Sequence, residues 1–338
     1  MPLPEIGKRP TIKDVARLAS VSFKTVSRVV NGEPNVRADT RAAVVSAMES
    51  LGYSPNVAAR GLASRRSFLI GLLVWSAQSD YSVALQAGAQ QRCRALGYHL
   101  VVETITPGDE VQIVDRLCAL GVDGVIVTAP HPSDGRLVEC LRAAGLRHVL
   151  ISPGGLTAIA PSVDMDEEAA GFEMTRYLIE LGHRRIAFVG AIGIPAAAGR
   201  HAGYLAALRE AGLSVHPGCD AECERGFRPV LKWADRLLNT PQRPTAIFAW
   251  NDIAALAVMM TATRKGLRIP AQLSVAGFDD IAAASFIWPG LTTIRQPLAE
   301  MAEAGVDMLV TKQPPDRPPH LFFPFELIKR ESTAPPSL

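Results

Sequence analysis

From Phe68 to Phe278 the chain alternates short apolar runs with longer amphipathic stretches, and this restricts the fold more than any other feature. The runs FLIGLLVW (68–75), YHLVVE (98–103), GVIVT (124–128) and HVLIS (148–152) are rich in Val, Ile and Leu, as strands buried on both faces are. Helical spacing separates them at about 82–96, 109–119 and 134–144. A second set follows, with a helix at about 166–181, RIAFVG (185–190), helices at 198–211 and 228–238, TAIFAW (245–250), a helix at 252–264 and LSVAGF (273–278). Buried strands alternating with helices of 10–15 residues predict doubly wound parallel sheets. Two such sets predict an α/β body of two lobes with a cleft between them.

Ligands of open α/β sheets sit at the carboxyl ends of the strands. The loops there carry Trp75 with Tyr81, Asp164 and Asp166, Arg200, Asn251 and Asp252 after Trp250, and Asp279 and Asp280. Carboxylates, an amide, a guanidinium and an aromatic face suit a sugar, whose hydroxyls need donors and acceptors and whose C–H face stacks on a ring. Asp252 and Asp280 read as helix caps, and Phe227 lies in a segment too irregular to place. LTTIRQP (291–297) and a helix at about 298–312 should return the chain to the first lobe. Pro314–Pro319 reads as a surface loop, LFFPFELIKRES (321–332) as a final strand in the second lobe, and the tail from Thr333 as disordered.

The first 66 residues are different in kind. They hold 11 basic and 5 acidic residues, a net charge of +6, whereas the remaining 24 basic and 28 acidic residues leave the body at −4. A basic segment on a mildly acidic body suits a polyanion partner. Thr11 is an N-cap residue with Asp14 three positions on. Ile12, Val15, Ala16 and Ala19 follow helical spacing, and Ser22 can cap a second helix, Phe23 to Val30. A third helix at about 38–51 follows Gly32-Glu33-Pro34, with Val44, Val45, Met48 and Leu51 expected inward. Two short helices around a three-residue turn, braced by a third, make a helix-turn-helix unit. Phe23, Lys24, Ser27 and Arg28 would face a major groove, where Arg can grip guanine with two hydrogen bonds. Thr11, Ser22, Thr25, Ser27 and Asn31 suit phosphate oxygens.

VARLASVSFKTVSRVVNG and TRAAVVSAMESLGYSPNVAARGL together resemble the head of the lactose-repressor (LacI/GalR) family of bacterial transcription regulators. The resemblance implies that Phe23, Lys24 and Arg28 read bases, and that 55–62, including Asn56, form a hinge helix whose Leu62 wedges into the minor groove. A helix that short is marginal alone, and Gly61 weakens it further. Ser20 departs from the family's usual Gly in the turn, at a cost of about 1 kcal/mol if its φ is positive. LGHRRIAFVG, AGRHAGYLAAL, RPTAIFAWND, LSVAGFDDI and PGLTTIRQP extend the resemblance through a body like the periplasmic sugar-binding proteins. By match, Arg200, Asn251 and Asp279, with Asp166 and Tyr81, fall on effector-contacting positions; Trp75 and Trp250 join them from cleft position alone.

The expected organisation is an arm at 1–10, an all-α helix-turn-helix head at 11–54 and a hinge helix and linker at 55–66. A two-lobed effector-binding and dimerisation body follows at 67–332, and a tail at 333–338. The first lobe would span about 67–162 and 292–320, and the second about 163–291 and 321–332. The implied function is a homodimeric repressor of a palindromic operator, released by a small sugar; a purine-type corepressor mode is the alternative, and a sugar-binding protein or enzyme without a DNA role the distant one. Enzyme readings find no phosphate loop, because Gly190-Ala191-Ile192-Gly193 lacks the spacing, and no G-x-S-x-G or H-E-x-x-H. No cofactor or metal is expected. The five cysteines are odd in number and irregularly spaced, which reads as reduced thiols. His183 reads as structural. No apolar run reaches the roughly 18 residues of a membrane span, and MPLPEIGKRP lacks a signal's apolar core. A cytoplasmic, nucleoid-associated location is expected.

Overall fold

The computed structural model describes residues 10–30, 35–53, 66–129, 135–154, 160–311 and 319–337. The expectations for the arm, Asn31, the hinge with Asn56 and Leu62, and most of the 314–319 loop lie outside these residues. The chain divides into two compact units, 1–68 and 69–338.

The first unit is the three-helix head: α1 (Ile12–Leu18), α2 (Phe23–Val30) and α3 (Ala38–Leu51). Its core is Val15, Ala16, Val26, Val29, Val44 and Ala47. Val45, expected inward, is 42% exposed. At 100° per residue the buried stripe of α3 runs through 44, 47, 48 and 51, which leaves no room for 45. Ser20 has φ 53°, the left-handed conformation that the family's usual Gly adopts without strain.

The second unit holds two parallel sheets. The first-lobe sheet has the order β11-β5-β4-β3-β1-β2. Its strands are β1 (Leu69–Val74), β2 (His99–Thr104), β3 (Gly124–Thr128), β4 (His148–Ile151), β5 (Ser162–Asp164) and β11 (His320–Phe322). The second-lobe sheet has the order β7-β6-β8-β9, from β6 (Ile186–Ala191), β7 (Asp220–Cys223), β8 (Ala246–Ala249) and β9 (Ser274–Ala276). β10 (Thr293–Arg295) pairs antiparallel with β12 (Glu326–Ile328) and meets the β9 edge through bridges at Ala276–Thr292 and Asp279–Arg295. The helices are α4 (Asp80–Leu96), α5 (Glu110–Leu120), α6 (Arg136–Ala143), α7 (Glu167–Glu180), α8 (Pro195–Glu210), α9 (Phe227–Leu238), α10 (Asp252–Arg264), α11 (Ala282–Phe286) and α12 (Leu298–Val310). Among the described residues no helix is long and apolar enough to cross a membrane.

Three details correct the sequence reading. The stretch 321–332 is two strands, because Pro324 breaks it: 320–322 joins the first-lobe sheet beside β5, and only 326–328 belongs with the second lobe. Residues 162–164 and 293–295 likewise change sides, so the chain crosses between lobes after β5, after β10 and after β11. The tail is not disordered. Thr333 is buried and bonds Tyr177 and Thr292, Ala334 O accepts from Ser274 Oγ at 3.0 Å, and Ser337 donates to Ala271 O. His183, expected to be structural, is buried in the same network, with Thr245 Oγ1 at 2.9 Å and Ser274 Oγ at 3.0 Å.

Candidate functional site

In the head, the Asp14 carboxylate accepts from both the N–H and the hydroxyl of Thr11, at 2.9 and 2.7 Å. Ser22 Oγ accepts from Thr25 N–H at 3.1 Å and lies 2.9 Å from Thr25 Oγ1. Both serve as caps, which fixes where α1 and α2 begin. On α2, Val26 and Val29 are buried, Thr25 and Ser27 are half-buried, and Lys24 and Arg28 are exposed. Phe23 is 61% exposed at the N-terminus of α2. An aromatic ring left in water beside two cations makes this face suited to a base edge and its phosphates.

In the body, a cavity of about 430 Å³ opens at the carboxyl ends of both sheets, within the range of small-molecule sites. Trp75, Tyr81, Arg200, Trp250, Asn251 and Asp279 line it. Asp166 does not. Its carboxylate caps α7 by accepting from Ala169 N–H at 2.8 Å, and the cavity is met instead by Glu167. Asp164 is half-buried at the end of β5, and burial raises its pKa to about 6. Asn251 caps α10 through Oδ1, with Ala254 N–H at 2.8 Å, so its amide nitrogen is the part left for a ligand. Phe227, the first residue of α9, packs against the second-lobe core.

Arg200 is the centre of the site. It is 3% exposed. Its guanidinium donates to Glu167 at 2.7 and 3.2 Å and to the Trp250 carbonyl at 2.5 Å. Its carbon lies 3.5 Å from the Phe278 ring centroid, and Asp279 is 3.8 Å away. Glycines allow this: a Cβ on Gly203 would fall 2.0 Å from Glu168 O, and one on Gly171 2.2 Å from Arg200 O. The backbones of α7 and α8 therefore touch, and Glu167 on one meets Arg200 on the other.

Asp279 has φ 115° and accepts from the Gln296 amide at 2.6 Å, while Gln296 Oε1 is buried without a partner. Burial pushes the Asp279 pKa up to about 7, against the pull of Arg200 and Gln296. The expected capping roles of Asp252 and Asp280 are not found. Asp252 is fully buried, accepting from Thr293 Oγ1 at 2.6 Å and Ile281 N–H at 2.9 Å, and burial raises its pKa to about 8. Asp280 pairs with Arg295 at 2.7 Å and Arg330 at 2.6 Å. Both tie the 279–281 turn to β10 and the C-terminal strand, and so hold Asp279 in its uncommon conformation.

The sequence reading missed Glu167, Ser152 and Arg225. Ser152 has φ 52°, and its buried hydroxyl lies beside the Tyr81 phenol without a hydrogen bond of good geometry. Arg225 sits with its guanidinium carbon 4.1 Å from the Trp75 ring centroid. No motif marks any of the three, although helix N-terminal positions and strand-end loops were where to look.

A helix-turn-helix head on a two-lobed α/β body of the periplasmic-binding-protein type defines a class of transcription regulator. Comparison with known proteins agrees. Residues 11–56 match the bacterial regulatory proteins of the lacI family, and 175–333 the periplasmic binding protein-like domain. Catabolite control protein A of Priestia megaterium is 34% identical, over 88% of this chain and 91% of its own. The PurR repressor of Haemophilus influenzae is 32% identical, over 89% and 90%. Among solved structures, the lac repressor dimer bound to operator and the anti-inducer ONPF superposes with a TM-score of 0.78 at 30% identity, over 97% of this chain and all of that one. The transcriptional regulator CelR in complex with cellobiose gives 0.72 at 29%, over 96% and 100%. The chain belongs to the lacI family of bacterial transcription regulators, which are not enzymes.

Proposed function

We propose that the protein is a repressor that binds a two-fold operator as a homodimer and is released when a small sugar occupies the cleft. The observation that carries the ligand reading is the cavity around Arg200. Trp75 and Trp250 line it as apolar walls for a sugar ring, and Arg200, Asn251 and Asp279 offer donors and acceptors to its hydroxyls. Arg200 uses three of its five N–H groups within the protein, which leaves two for a ligand. The solved relatives include a cellobiose complex and one with bound ribose.

The operator reading rests on the exposed Phe23, Lys24 and Arg28 of α2, with Thr11, Ser22, Thr25, Ser27 and Asn31 on phosphates and Asn56 and Leu62 in the hinge. The dimer reading draws on the lac repressor dimer and on Phe286 and Trp288, 82% and 84% exposed on one short segment. Paired aromatics left in water are characteristic of association surfaces. Ligand binding need couple to the hinge by only about 1–3 kcal/mol per site.

The test is a thermal-shift screen of sugars against purines, since a bound ligand raises the melting temperature by mass action. A sugar should raise it, and Asp279→Asn should remove the response. A rise with hypoxanthine or guanine and none with any sugar would make the protein a purine-type corepressor-dependent repressor, a reading that the similarity to PurR keeps in view.

A further inference from the structure

Five helices of the body begin at the cavity, and they do not begin alike. Residues of the first turns or N-caps of α4, α7, α8, α9 and α10 all line it. Three are capped by side chains that accept from a backbone N–H: Ser79 for α4, Asp166 for α7 and Asn251 for α10. Each of these also has a carboxylate in its first turn. The other two, α8 and α9, start from Ile194 and Gly226, with no side-chain cap and no acidic residue in the first turn. Pro195 and Pro229 each remove one N–H from these first turns, and the N–H groups that remain, with the partial positive charge, meet no side-chain cap.

Arg225 adjoins the N-cap of α9 and lines the cavity too. Among the described residues no carboxylate lies within 4.0 Å of its guanidinium, which rests only on the Trp75 ring. The cavity's carboxylates are committed elsewhere. Glu167 is bound in two hydrogen bonds by Arg200, and Asp279 lies between Arg200 and the Gln296 amide. Arg225 is exposed, and its guanidinium is the cation of the site with no carboxylate beside it among the described residues. A further unmet donor points the same way. Ser152 is 6% exposed and lines the cavity, and its buried hydroxyl has no hydrogen-bond partner of good geometry, although the Tyr81 phenol lies beside it.

We propose that the effector is a monosaccharide bearing one anionic group, a carboxylate or a phosphate, which Arg225 and the uncapped N-termini of α8 and α9 hold. This rests on the sugar reading of the cavity and names the class of sugar. The neutral part of the ligand takes the Arg200–Asp279–Asn251 side, and the anion takes the side where donors outnumber acceptors. Guanidinium binds planar carboxylates and phosphates alike through paired N–H groups. Arg225 belongs to the second lobe and Trp75 to the first, so an anion on Arg225 also bears on the contact that spans the cleft.

Calorimetric titration of the full chain separates the possibilities. The probes are D-glucose, D-galactose and D-mannose, each with its uronate and its 6-phosphate. One charged member should bind roughly tenfold or more tighter than its neutral parent, the order set by charge-assisted hydrogen bonds. Arg225→Gln should bring the charged and neutral forms to within about threefold, and Arg225→Lys should restore part of the difference, because a point charge survives without the fork. Which charged form prevails assigns carboxylate or phosphate. A neutral sugar binding as tightly as its charged forms overturns the inference and leaves the sugar reading standing. So does a preference for the charged form that persists in Arg225→Gln. If no sugar binds, neutral or charged, the sugar reading fails and this inference with it.

Discussion

Replacing Gly203 by Ala sets two effects of opposite sign against each other. Gly203 lies inside α8, and on helix propensity alone Ala should stabilise by about 1 kcal/mol. At that point, however, α8 crosses α7. The new Cβ would fall 2.0 Å from Glu168 O and 2.4 Å from Phe172 N. Both are backbone atoms, so no side-chain rotation relieves the collision, and the helices must part. Overpacking costs about 1–3 kcal/mol, and a backbone collision belongs at or above the top of that range. The net expectation is a loss of about 2 kcal/mol. In a body of this size that lowers the melting temperature by roughly 4 °C. Parting the helices also lengthens the 2.7 Å contact between Arg200 and Glu167, so ligand affinity should fall with stability. Gly305→Ala on α12 is the matched comparison: its Cβ would meet nothing closer than a side-chain carbon of Ile126 at 3.4 Å. That variant should gain up to about 1 kcal/mol. Differential scanning calorimetry of both would decide. A Gly203→Ala protein that melts at or above the wild type would refute the close crossing as the device that positions Arg200.

Other outcomes follow from single residues. Ser20→Gly should stabilise the head by about 1 kcal/mol, read as a later head transition in thermal denaturation, because it removes a Cβ from φ 53°; no gain would mean the turn is unstrained. Arg28→Ala should relax preference at one base pair of the selected site, whereas equal weakening on all sequences would make it a phosphate contact. Leu62→Ala should reduce operator bending in a circular-permutation gel assay, and unchanged bending would remove it from the wedge role. Asp252, at about 8, and Asp279, at about 7, keep their protons in the folded state far above the ordinary carboxylate range. Their contribution is therefore fully present below about pH 4 and is lost as pH rises through 7 to 8, by up to about 1.4 kcal/mol per pH unit for each group. The body's melting temperature should fall from pH 6 to 8.5, and less so in Asp252→Asn; a flat or rising profile would contradict the assignment.

Most strands of the parallel sheets were legible as apolar runs, whereas the polar edge strand β7 was not, and the head was legible because its cap residues and helical spacing agree. What escaped was set by contacts distant in sequence. β5 and β11 are three residues each, and only the pairing of β5 with β4 and of β11 with β5 makes them strands. The tail looked polar and terminal, yet Ala334 is the partner that the buried pair His183 and Ser274 requires. In the cleft, Arg200 and Asp279 could be read from strand-end position and family match. Glu167 could not be told from Asp166, because which of two adjacent acids caps the helix and which meets Arg200 depends on how closely α7 and α8 approach. Arg225 carries no pattern at all; its interest comes from the carboxylate it lacks.

The central claim is that ligation of the cleft alters operator binding by the head. Selection of the full chain on a random duplex library, followed by fluorescence anisotropy on the winning duplex with and without the sugar that raises the melting temperature, tests it most directly. The expected result is a two-fold symmetric site whose affinity falls by roughly 5–150-fold when the sugar is bound. A site with no symmetry, or an affinity identical in the presence and absence of that sugar, would contradict it.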